Sequence, residues 1–156
     1  MRGKRAKQRQ QIGDRKYNDS TIRRLINKVM QDGKKSVAEE LVYKALESAS
    51  ELAKEKDIVL FVSKAIDNLK PALEIKARRV GGANYQVPVP VSTSRQETLA
   101  VRWLVDVSRG KSGKSFEERL SAEILNAYKG EGDAIKKKQD VERMAEANKA
   151  FAHFRW

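Results

Sequence analysis

No cysteine occurs in the 156-residue chain, and the one histidine is His153. The first absence removes disulfides, thiolate chemistry and cysteine-ligated metals. The second leaves a single imidazole for any acid–base role, and only carboxylates to complete a metal shell; no cluster of them has that arrangement. No metal site or cofactor is expected. Proline is limited to three residues, all between positions 71 and 90, and aromatic residues make up 6%. No apolar run approaches the roughly 20 residues of a membrane span. The basic N-terminus is not followed by an apolar stretch, so a secretory signal is not expected either. There is no internal repeat.

Positive charge is abundant. Lysine and arginine number 33 against 21 acidic residues, a formal net charge of +12, and the sequence pI is near 10.0. The hydrophobic fraction of 40% is enough for a core at this length. The balance favours a polyanionic partner: RNA, DNA or an anionic membrane surface. The charge is unevenly placed. Arg2, Lys4, Arg5, Lys7, Arg9, Arg15 and Lys16 face only Asp14 in residues 1–16, whereas acidic residues outnumber basic ones over 36–69. Residues 1–17 are polar, basic and aperiodic, and read as a flexible basic N-terminal arm that orders on a polyanion. Residues 18–156 read as a single helical domain.

Helical periodicity dominates that domain. Asp19 or Ser20 caps a first helix with an apolar stripe of Ile22, Leu25, Ile26, Val29 and Met30, ended by Gly33. A second helix starts at Lys34–Ser36 with Val37, Leu41, Ala45, Ala49 and Leu52 as its stripe. Asp57 caps a third, apolar all round over Ile58–Val62 and stopped by Pro71, which suggests the central core helix. Ser94-Arg-Gln-Glu97 has the pattern of a capping box and opens a fourth helix containing Trp103; Ser115-Phe-Glu-Glu118 has it again and opens a fifth. A last helix with Val141, Met144, Ala145 and Asn148 inward leads to His153-Phe-Arg-Trp156.

Between the third and fourth helices lies a different pattern. Leu73, Ile75 and Ala77 alternate with Glu74, Lys76 and Arg78. Beyond Gly81-Gly82, Tyr85, Val87, Val89 and Val91 alternate with Gln86, Pro88 and Pro90. Period two on both sides of a glycine pair predicts a β-hairpin at about 72–91. Pro88 and Pro90 place the second strand at an edge. The expected fold is therefore mainly α, a bundle of about six helices with one protruding two-stranded hairpin. Such a hairpin is marginal alone, so it leans on the helices at its base.

Candidate binding residues follow from charge and placement. Arg95, Arg102 and Arg109 recur every seven residues and share a helix face, a possible phosphate ladder; Asp106 could instead pair with Arg102 and Arg109. Gly110-Lys-Ser-Gly-Lys-Ser115 lacks the leading glycine of a phosphate loop, which falls at Ser108, and follows a helix where a strand is needed. Lys111 and Lys114 are better read as backbone contacts to nucleic acid. No nucleophile–base pair is present, so no enzyme is expected. Trp103 reads as core and His153 as a packing or stacking residue; Tyr85 fits either role.

Several strings occur together and in order: Asp32-Gly-Lys-Lys-Ser36, Arg78-Arg-Val-Gly-Gly82, Tyr85-Gln-Val-Pro88, Arg102-Trp103 and Met144-Ala-Glu-Ala-Asn-Lys-Ala-Phe-Ala-His-Phe-Arg-Trp156. As a set they resemble the bacterial-type family of small-subunit ribosomal protein seven, from about residue 12 onward. The resemblance implies a primary binder of the 3′ major domain of 16S rRNA that nucleates assembly of the subunit head. It implies a place in the cytoplasmic ribosome near the exit-site tRNA and mRNA, beside small-subunit proteins nine and eleven. It marks Lys34, Lys35, Arg78 and Arg102 as rRNA contacts; charge and placement add Lys76, Arg95, Arg109, Lys111 and Lys114, and charge alone adds Arg2, Lys4, Arg5, Lys7 and Arg9, since the first ten residues follow no family pattern. Arg79, Gly81, Gly82, Tyr85, Lys149, His153, Arg155 and Trp156 would lie near tRNA or mRNA. No homo-oligomer is expected. The alternative is an architectural duplex-DNA binder gripping with its β-arm.

Overall fold

The computed structural model describes Gly3 and residues 12–154. The described residues form six α-helices, a short 3₁₀ helix and one hairpin: α1 (Ser20–Val29), α2 (Lys35–Ala53), α3 (Ile58–Leu69), β1 (Leu73–Val80), β2 (Ala83–Pro90), α4 (Thr93–Gly110), α5 (Phe116–Lys129) and α6 (Asp133–Ala147), then the 3₁₀ turn Lys149–Phe154. The mainly helical bundle with one β-arm is as the sequence predicts.

Three helix starts are set by side-chain caps. Asp19 Oδ1 accepts the Thr21 and Ile22 N–H groups, both at 2.8 Å. Asp57 Oδ1 accepts those of Val59 and Leu60, and Ser115 Oγ that of Glu118. Each satisfies donors that a helix end otherwise leaves open, worth about 1 kcal/mol per cap. The fourth helix departs from expectation. It starts at Thr93 behind Ser92, which makes no side-chain cap bond, and Glu97 does not reach back to its own helix end. The Glu97 carboxylate is drawn to Arg24 at 2.6 Å and Lys70 at 3.7 Å, because two cations outcompete one amide donor.

α3 touches each of the other five helices and is central. It is not buried all round, however: Phe61, Val62, Ala65, Ile66 and Leu69 are buried while Leu60 is 64% exposed. In α2 the buried positions are Ala38, Val42, Ala45, Leu46, Ala49 and Ser50; Val37 and Leu52, expected inward, are exposed. Alanines on this face let α2 lie close to α5, so the face is chosen by fit and not by side-chain size. In α6 the burial falls on Ala134, Ile135 and Ala145, and Met144 is exposed. α1 ends at Val29, before Gly33, which lies in the following turn at φ +74°. Trp103 is buried, as expected.

The hairpin turns tightly. β1 and β2 pair antiparallel from Leu73–Pro90 to Val80–Ala83, leaving Gly81 and Gly82 as a two-residue turn at φ +58° and +90°. Positive φ at both central positions matches the right-handed twist of the flanking strands, and glycine adopts it without a Cβ penalty. The register opposes Ile75 to Pro88 and Lys76 to Val87. Leu73 and Ile75 therefore share a face with the prolines, and Val87 and Val89 occupy the opposite face. Both faces are covered at the base, where β1 and β2 contact α6 and β2 contacts the 3₁₀ turn. From Lys76 to Arg79 the strand is exposed.

Residues 12–17, assigned to the arm from sequence, are folded onto the body. Asp14 is 7% exposed and accepts backbone N–H groups from Lys16, Tyr17 and Asp19. The rest of the arm assigned from sequence, apart from Gly3, lies outside the described residues.

Candidate nucleic-acid interface

α1 and α4 lie side by side, and the cleft between them, about 310 Å³, is lined by Arg24, Asn27, Lys28, Ser94, Thr98, Val101 and Arg102. Arg102 is exposed on its rim. Asp106, a possible partner for Arg102 by spacing, instead takes Lys28 at 3.5 Å across the helix pair. That leaves Arg102 with no hydrogen bond or ion pair among the described residues. Arg24 and Lys28, one helical turn apart on α1, are site residues that the sequence reading did not select. The signal was their i,i+4 spacing on the polar side of the apolar stripe.

The hairpin root is fixed to α4 by one carboxylate. Glu74 bonds Arg95 Nε at 3.2 Å and pairs with Lys76 at 3.0 Å. Burial pushes the Glu74 carboxyl up, but the Lys76 and Arg95 donors outweigh this and hold it below the usual carboxylate range. Lys76 and Arg95 thus reach solvent from known positions. Beyond them Arg78 and Arg79 point to opposite faces of the strand, opposite Tyr85 and Asn84.

Tyr85 packs against the chain's own aromatics, 5.2 Å from both Phe151 and Phe154. His153 lies 3.9 Å from the Phe154 ring and its Nδ1 is 2.8 Å from the Ala150 carbonyl. The hairpin flank and the C-terminal turn therefore form one aromatic seam beside exposed Lys149. Arg155 and Trp156, like Arg2, Lys4, Arg5, Lys7 and Arg9, lie outside the described residues.

Two expected phosphate ligands are committed to the fold. Arg109 Nη2 donates to the Val29 carbonyl at 3.0 Å and the Lys28 carbonyl at 3.4 Å, satisfying the open C-terminal end of α1. The arginine ladder is therefore broken at its third rung. Lys111 pairs with Glu123 at 2.5 Å and Asp133 at 3.0 Å; Glu123 is fully buried and also accepts the Ala134 N–H at 2.8 Å. Lys114 stays exposed beside Arg119. Lys34 and Lys35 are exposed at the start of α2, where Lys35 pairs with Glu39 at 3.6 Å.

The architecture is that of a polyanion-binding protein: a rigid helical body with guanidinium groups along one interhelical cleft and a basic β-arm rooted beside it. Among the described residues no group of His, Cys, Asp or Glu could hold a metal ion, and no helix is long and apolar enough to cross a membrane. The prolines lie at the base of the arm, with Pro88 buried, and not at the tip where a DNA-intercalating wedge would sit.

The model of the family described as ribosomal protein S7p/S5e matches residues 1–149. The chain is 53% identical to the small ribosomal subunit protein uS7 of Thermosipho africanus and 54% identical to that of Kosmotoga olearia, each over 100% of both chains. It is 50% identical to that of Azorhizobium caulinodans over 97% of this chain and 96% of the relative. The chain belongs to the ribosomal protein S7p/S5e family, whose members are structural ribosomal proteins and not enzymes.

Proposed function

We propose that this protein is a structural constituent of the small ribosomal subunit in the cytoplasm, a primary binder of the 3′ major domain of 16S rRNA that nucleates assembly of the subunit head. The observation that carries the reading is the family match over nearly the whole chain, joined to a basic cleft whose exposed Arg102 has no ion-pair partner among the described residues. The α1–α4 cleft, Lys34 and Lys35, Lys114 and the hairpin root contact rRNA mainly through phosphates. RNA shape supplies most of the specificity, since side chains cannot enter the deep, narrow A-form major groove. Arg79, the Gly81–Gly82 turn and the seam of Tyr85, Lys149 and His153 lie toward the exit-site tRNA and mRNA. Small-subunit proteins nine and eleven are its neighbours, and the chain acts without a second copy of itself.

The test is binding to a transcript of the 3′ major domain, against duplex DNA and bulk tRNA, over a salt series. Counterion release makes every polycation bind more weakly as salt rises. Affinity for the transcript that persists where the DNA and tRNA complexes dissociate is the expected result. Three affinities that fall together would refute the reading.

A further inference from the structure

A second depression, about 480 Å³, opens where the chain joins the body. Three cations reach it from three places: Arg15 from the loop before α1, Arg23 from α1 and Lys35 from the start of α2. The loop carrying Arg15 is built around a buried carboxylate. Asp14 Oδ2 accepts the Lys16 N–H at 3.0 Å, the Tyr17 N–H at 2.9 Å and the Tyr43 hydroxyl at 3.0 Å; Oδ1 accepts the Asp19 N–H at 2.8 Å. Its own N–H returns to the Asp19 carbonyl at 3.1 Å.

Two further features close the loop. A Cβ on Gly13 would stand 2.3 Å from the Asn18 carbonyl carbon and oxygen, so the strands of the loop touch there as only glycine allows. Arg23 Nη1 clamps the incoming chain through the Ile12 carbonyl at 2.7 Å and the Gly13 carbonyl at 3.4 Å. α1 does not need this arrangement, since Asp19 caps it alone. Burying a second carboxylate with four donors therefore serves the loop and not the helix. Every neighbour of Arg15 in the loop is held, yet Arg15 is exposed and has no hydrogen bond or ion pair among the described residues. Glu39 also lines the depression; its pair with Lys35 is long, at 3.6 Å, and the half-exposed Lys35 ammonium keeps further N–H donors for a phosphate.

We propose that Asp14 is a positioning residue for RNA binding: by closing the Gly13–Asp19 loop, whose start Arg23 clamps, it sets Arg15 across from Lys35, making the depression a cradle for one phosphate of the RNA backbone. The inference rests on the RNA reading above and adds a site to it. Without the carboxylate, the backbone amides of Lys16, Tyr17 and Asp19 lose their common acceptor, and Arg15 is no longer presented toward Lys35.

The test uses the full-length protein and the 3′ major domain transcript, with affinity read over a salt series and folding read by thermal melting. Arg15→Gln is expected to weaken binding several-fold near 0.1 M salt and to lower the slope of log K against log salt by about one, the loss of one phosphate contact. Asp14→Ala is expected to give the same loss of slope, and the double variant to bind no worse than Asp14→Ala alone. Gly13→Ala, which opens the loop and leaves the carboxylate in place, is expected to reproduce it. An Asp14→Ala protein that melts earlier but keeps the wild-type slope, or losses at Asp14 and Arg15 that multiply, would overturn the proposal. If Asp14→Ala does not fold, Gly13→Ala and Tyr43→Phe are judged by the same two criteria. A wild-type protein that does not prefer the transcript removes the functional reading first, a result distinct from any of these.

Discussion

Lys111 separates a fold residue from an RNA ligand more sharply than any other position. Its ammonium is the cation beside Glu123, whose side chain is fully buried, while Lys111 itself is 36% exposed. Replacing Lys111 with Met strands the carboxylate. Breaking a buried pair from one side costs about 3–5 kcal/mol. The exposure of Lys111 screens the pair, so the loss is expected at about 2–3 kcal/mol. For a chain of this length that corresponds to a fall of about 4–12 °C in Tm. Glu123→Gln keeps an acceptor for the Ala134 N–H and leaves Lys111 its second partner, Asp133, so it is expected to cost only about 1 kcal/mol. The double variant is expected to be no less stable than Lys111→Met, a coupling of about 1 kcal/mol in a double-mutant cycle read by urea unfolding. All three proteins are expected to keep the wild-type salt slope for RNA. Additive stability losses, or a Lys111→Met protein of wild-type stability whose slope drops by about one, would refute the reasoning and return Lys111 to the RNA.

Arg102 and Arg109, one heptad apart, are expected to behave oppositely. Arg102→Ala lowers RNA affinity and salt slope with stability changed by less than about 0.5 kcal/mol, and Arg109→Ala lowers stability by about 1–2 kcal/mol as the α1 carbonyls lose their donor, which urea unfolding and transcript binding read separately. Gly82→Ala, at φ +90° with open space around it, carries only the backbone penalty of about 1 kcal/mol, expected as faster amide exchange in the hairpin with an unchanged helical core. Stability is expected to be flat from pH 7 down to about pH 5 and to fall in acid below that. The Asp14 carboxyl is pushed up by burial and pulled down further by the Tyr17, Asp19 and Lys16 amides and the Tyr43 hydroxyl; Asp133 is held low by Lys111 and Lys136. Each group, with a lowered folded pKa, stabilises above its unfolded value near pH 4 and loses that contribution as pH falls through the folded one, which denaturant midpoints from pH 7 to 2 would show.

Much of the fold is legible in the residues because its signals are local. Period-two alternation around Gly81-Gly82 predicts the hairpin, and the structure places the turn at that pair. Asp19, Asp57 and Ser115 announce helix starts because a cap acts within three residues. The Ser94–Glu97 box fails for the complementary reason: Glu97 is taken by Arg24 and Lys70, 73 and 27 positions away in the chain. The arm boundary fails because nothing in a basic, aperiodic string shows that Asp14 will find a tyrosine 29 residues on.

The amino-acid sequence by itself determines the helical class, the β-arm, the cationic character and the family, since periodicity, turn chemistry, composition and ordered motifs are properties of neighbouring residues or of their sum. The tertiary structure alone decides which cations are available to RNA. Arg102 and Arg109 are indistinguishable by residue type and spacing. One reaches solvent and the other caps a helix whose carbonyls lie 80 positions earlier. Charge counts the cations, and only packing shows which of them have already met a carbonyl or a carboxylate.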